Sequence, residues 1–148
     1  MNILVVREDG SYYVRPDTTL EREGTEFYLP GAFVGVTVRK CRCVRLKKAG
    51  KAVGERFADR YLDGVCGAGL MVYGVSEDGG RTPYIDNSTI FFNGSSRPLE
   101  AGEFVEFSKY LSSVTSVTSV RIGDYICIEG EESPLISRGQ VVEGVSIL

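Results

Sequence analysis

Phe33 to Leu46 is the longest stretch of this chain that reads as extended, and it commits the fold to being built around a sheet. Successive side chains on a strand point to opposite faces. Val34, Val36 and Val38 therefore share one face, continued after two basic residues by Val44 and Leu46. Thr37, Arg39, Cys41, Cys43 and Arg45 lie on the other. The remaining extended runs are short, because turn signals recur throughout. Ile3 to Arg7 and Ser11 to Arg15 flank Glu8-Asp9-Gly10, whose Asp-Gly is a hairpin signal. Glu23-Gly24 and Pro30-Gly31 bracket Thr25 to Leu29, and Ser76 to Gly80 reads as a loop.

Strands are also expected at Gly67 to Val75, at Thr89 to Phe92 ending on Asn93-Gly94, at Val120 to Glu129 and at Gln140 to Leu148. Helical spacing occurs twice. Phe57 and Tyr61 are one turn apart with Ala58 beside them, which predicts a helix over Val53 to Leu62. Phe104, Phe107, Leu111 and Val114 predict a second from about Glu103. Ser112 to Val120, rich in Ser, Thr and Val, is expected to leave that helix as strand. The expected class is mainly β (α+β with few short helices), carried as a single domain over residues 1–148.

The chain contains no histidine. That excludes Ser-His-Asp, Cys-His and His-Glu proton relays and every zinc site that uses imidazole. A net charge of −3 gives no global reason to expect nucleic acid or membrane as a partner. Met1 to Val6 lacks the basic start and cleavage site of a secretory leader, and no stretch approaches the roughly 20 apolar residues of a membrane span. A cytoplasmic setting with reduced thiols follows as the expectation.

Three segments in order resemble the fumarylacetoacetate hydrolase family, particularly its short bacterial members. The first is Tyr13-Val14-Arg15-Pro16-Asp17-Thr18 followed by Phe27-Tyr28-Leu29-Pro30. The second is Arg45-Leu46, Gly50-Lys51 and Glu55-Arg56-Phe57-Ala58-Asp59-Arg60-Tyr61. The third is Val120-Arg121-Ile122-Gly123-Asp124. The resemblance implies a mixed β-sandwich roll, truncated here by roughly thirty residues before Ser88. It also implies C–C bond hydrolysis or decarboxylation of small dicarbonyl acids, driven by Mg²⁺ or a similar ion on an E-x-E pair and an Asp. Those ligand positions fall on Arg39, Cys41 and Leu70. An arginine repels a cation and a leucine offers it nothing. The family's catalytic His-Glu pair and its lysine have no counterpart, and its substrate loop falls on Glu129-Gly130-Glu131. The expectation is a catalytically inactive pseudoenzyme, without cofactor, that serves as a binding or assembly module and forms a homodimer. The rival is a hydrolase or decarboxylase with a rebuilt site.

Other features admit two readings. Cys41 and Cys43 present sulfurs to one face, either as a soft-metal site completed by Cys66 or Cys127 or as small hydrophobes filling a former pocket. Arg39 to Lys51 holds seven basic residues and no acidic one, either as an anion contact or as a solvated hairpin. Arg39 and Arg45 are alternatively the anchors of a small carboxylate ligand. Glu129, Glu131 and Glu132 read as paired carboxylates or as a charged turn. Glu55, Arg56, Asp59 and Arg60 read as surface charge pairs on a helix.

Overall fold

A computed structural model describes residues 1–84, 89–92 and 96–148. The expected Asn93-Gly94 strand end and the position of Ser88 lie outside the described residues. The strands are β1 (Asn2–Val6), β2 (Tyr12–Pro16), β3 (Leu20–Glu21), β4 (Glu26–Phe27), β5 (Gly35–Leu46) and β6 (Leu62–Val75). They continue as β7 (Arg81–Pro83), β8 (Ile90–Phe91), β9 (Arg97–Pro98), β10 (Tyr125–Glu132), β11 (Val141–Val142) and β12 (Val145–Ile147). One α-helix, α1, spans Ala101–Thr115, and 3₁₀ turns cover Asp17–Thr19 and Glu55–Arg60. The mainly β, α+β reading holds. The residues pack as two compact units, 1–17 with 42–67 and 95–128, and 18–41 with 68–94 and 129–148.

In the first unit the strands run in the order β2-β1-β10-β5-β6, with β9 also on β6. The Asp-Gly signal is a hairpin turn as expected: Arg7 N–H donates to the Ser11 carbonyl at 2.8 Å. Gly10 takes φ +84°, a conformation that a Cβ disfavours. β1 lies antiparallel to β2 and parallel to β10, so the sheet is mixed. α1 follows the predicted spacing, burying Phe107, Leu111 and Val114 in a cluster with Leu4, Val6, Val44, Leu46 and Ile126.

Two local expectations for this unit are corrected. Ser112 to Val120 does not leave the helix as strand, because α1 continues through Thr115. The fully buried Thr115 hydroxyl donates to the Leu111 carbonyl at 2.7 Å and accepts the Val53 N–H at 3.0 Å. Tertiary bonding of that one hydroxyl overrides the β-branched character of the segment. Val53 to Leu62 is not an α-helix but a six-residue 3₁₀ turn, Glu55–Arg60, after which Leu62 opens β6. β6, at 14 residues, is therefore longer than β5, at 12.

The second unit carries β5-β6-β8-β3 in order, with β7 on β6, and a separate three-stranded sheet, β11-β12-β4. The turn between β11 and β12 places Glu143 at φ +48° and Gly144 at φ +79°. Its core gathers Phe27, Leu29, Val36, Val38, Leu70, Val72, Phe91, Val145 and Ile147. Val36 and Val38 are the even face read from the sequence. Thr37 on the odd face is fully buried as well, so β5 is covered on both sides here.

Candidate functional site: an ion cluster around Arg39

The odd face of β5 brings Arg39 out beside the start of the last segment of the second unit. Its Nη1–H donates to the Gly130 carbonyl at 2.7 Å, and its Nη2 lies 3.6 Å from Glu132 Oε2. Its Nε is 3.9 Å from Glu129 Oε2. Glu129 is almost wholly enclosed, with a side chain 2% exposed, and it also accepts the hydroxyl of the buried Tyr73 in a short bond. Arg81 closes the outer side, placing Nη2 at 3.1 Å from Glu132 Oε1. Two guanidinium groups and two carboxylates thus satisfy one another. Burying a carboxylate is tolerable only when it is paired and hydrogen-bonded, and Glu129 is both.

Cys41 fills a tight slot. A Cβ built on Gly69 would come within 2.8 Å of the Cys41 sulfur and 3.0 Å of the Phe92 ring. A longer side chain at position 41 would have to move that ring or the β6 backbone. Leu70 alternates with Gly69 along β6 and packs with Val36, Val38 and Val72. It shares the face of the even-numbered valines of β5, not the face of Arg39. The three predicted positions are thus a salt-bridged guanidinium, a buried thiol in a closed slot, and a core leucine.

These residues do not fit a hard divalent cation. Such an ion needs several carboxylate or carbonyl oxygens around an open position. Here the two carboxylates and the Gly130 carbonyl are already taken up by guanidinium groups, and the thiol and leucine contribute no oxygen. The buried Thr37 hydroxyl, also on the odd face, has no hydrogen-bond partner among the described residues.

Glu129 and Glu132 belong to the cluster, the first buried and the second exposed as Glu131 is. Cys43, Cys66 and Cys127 lie in the first unit, Cys41 in the second, and all four are buried thiols. The basic run does not behave as one patch. Lys40 pairs with Glu143 at 3.1 Å, and Arg42 pairs with Glu103 at 3.2 Å and Glu106 at 2.7 Å. Arg56 and Arg60 lie over the Phe57 ring, at 4.6 and 4.9 Å from its centroid. Sequence reasoning missed Tyr73 and Arg81, since neither stands in a motif. The only signal was the period-2 pattern of β6, which puts Tyr73 on the face of Gly69 and Met71.

Neither a protein-family model nor a curated protein matches the sequence. Solved structures do. Maleylpyruvate hydrolase from Sphingobium sp. SYK-6 superposes with a TM-score of 0.71 at 12% identity, covering 99% of this chain and 70% of the other. Fumarylpyruvate hydrolase from Pseudomonas aeruginosa, in complex with Mn²⁺ and pyruvate, gives 0.67 at 10%, covering 94% and 82%. A fumarylacetoacetate hydrolase family protein from Yersinia pestis CO92 gives 0.66 at 14%, covering 99% and 92%. The chain has the fumarylacetoacetate hydrolase fold. The chain covers 70% of the length of the maleylpyruvate hydrolase and 92% of the Yersinia protein.

Proposed function

We propose that this chain, folded as one domain, is a catalytically inactive variant of the fumarylacetoacetate hydrolase fold that acts as a binding or assembly module. The supporting observation is the Arg39 guanidinium joined to Gly130, Glu129 and Glu132. A covalently attached cation there replaces an exchangeable one. It supplies positive charge but no vacant coordination position, so it cannot polarise a dicarbonyl in the way an open metal site does. A small carboxylate ligand would enter by displacing Glu132, whose side chain is 28% exposed and bridges Arg39 and Arg81.

The rival reading, a rebuilt hydrolase or decarboxylase, draws support from Tyr73 and Glu129, which place a proton donor and an acceptor in one enclosed bond. Acylpyruvate cleavage separates the two. The wild-type protein and an Arg39→Glu, Cys41→Glu variant are assayed with millimolar Mg²⁺ or Mn²⁺, following loss of enol absorbance. Neither is expected to exceed the no-enzyme blank. Restored carboxylates supply only one part of a mechanism whose parts act as a unit. Turnover by the wild-type protein would favour the rebuilt enzyme, and turnover by the variant alone would show that the rest of the machinery persists.

A further inference from the structure

The pairing of β5 with β10 in the first unit brings together two thiols that the Arg39 cluster does not use. Gly50 and Val120 exchange both backbone bonds, at 3.0 and 2.9 Å, in an antiparallel bridge. Leu46 N–H then donates to the Asp124 carbonyl at 2.7 Å. Following that register three residues further along each strand sets Cys43 opposite Cys127. The side chains bear this out: the two sulfurs are 2.7 Å apart, although the residues are 84 apart in sequence. Both are buried, at 2% and 0% exposure. Directly opposed residues of an antiparallel pair have Cα atoms about 4.5–5.5 Å apart, inside the roughly 4.4–6.8 Å window of a disulfide. Closing the bond requires no strand to move.

We propose that Cys43 and Cys127 form a modification site, a dithiol that closes into an intrachain disulfide when the protein meets a small peroxide. One thiol, as its thiolate, attacks a peroxide oxygen, and the O–O bond breaks to give a sulfenic acid and, with a proton, water. The sulfur of the second residue then displaces the hydroxyl, forming the S–S bond and releasing the second water. The two thiols together lose two hydrogens and two electrons, and hydrogen peroxide is reduced to two waters. Burial restricts the oxidant to a molecule of that size. Cys66 is engaged elsewhere: its thiol lies 3.7 Å from the Gly67 carbonyl.

The test uses the full, fully reduced chain treated with hydrogen peroxide, followed by intact mass and a non-reducing peptide map. The expected product has no covalent link between chains, is lighter by two hydrogen atoms per chain, and carries one linked peptide pair containing Cys43 and Cys127. Dithiothreitol should restore the starting mass, and the oxidised form should melt several degrees higher, because the bond closes a long loop. A Cys127→Ser variant should stop at a trappable sulfenic acid on Cys43 with no linked peptide. If that variant does not fold, the wild-type map still decides. Linkage through Cys66 or Cys41, intermolecular crosslinks, or four unchanged thiols would overturn the proposal.

Discussion

Arg39 shows how one residue can carry a site's whole character. Its guanidinium is planar and permanently charged, and it presents donors in a fork, so it can hold a carbonyl and two carboxylates together. Truncation therefore harms its partners more than itself. Arg39→Ala would take the guanidinium away from the enclosed Glu129 carboxylate and would strip the Gly130 carbonyl of a donor. The expected loss is roughly 2–3 kcal/mol of stability in urea unfolding, since an enclosed carboxylate loses its neighbouring cation. Glu129→Gln keeps a polar partner for Tyr73 while removing the charge, and it should cost clearly less. Equal losses for the two variants would show that the ion pairing with Arg39 is not what matters there. None of this was readable from residue order, because Arg39 and Gly130 are 91 positions apart. The sequence displayed a basic run and an acidic turn, each of which looked solvated on its own.

Among the elements, α1 and β5 were legible, and for the same reason. Each has a strong hydrophobic period over more than ten residues, and burial of that face outweighs local preference. The end of α1 was not legible, because it depends on Thr115 meeting Val53 across 62 residues. The start of α1 has its own electrostatic anchor. Glu103 receives a two-pronged contact from Arg97, with Nη2 at 2.8 Å, a further bond from Arg42 at 3.2 Å, and the Glu100 backbone N–H at 3.2 Å. The Arg97 guanidinium, aided by that N–H and by Arg42, holds the Glu103 carboxyl at about 2, against an ordinary value of 4.5. A depressed folded value means that the contribution is fully present above the unfolded value. It disappears as pH falls from about 4.5 toward 2. Glu103→Gln should thus lower the melting temperature at about pH 7 and make little difference near pH 2. An equal loss at both pH values would mean that Glu103 acts through packing alone.

At the scale of the whole molecule, the fold was recoverable because three weak motifs occurred in order, while no single one was decisive. What the resemblance could not supply was the present occupant of the ligand positions. The structure answers with a guanidinium, a slotted thiol and a core leucine. Homodimerisation is expected of the intact chain, and light scattering should report about twice the 16.2 kDa chain mass at micromolar concentrations. A monomer across that range would remove assembly from the account and leave ligand binding alone. On the proposed reading, Arg39 takes the place of an exchangeable cation. Calorimetric titration of the wild-type protein with Mn²⁺ and with Mg²⁺ tests it most directly. The claim predicts only heats of dilution into the millimolar range, and a saturable site binding one ion per chain would contradict it.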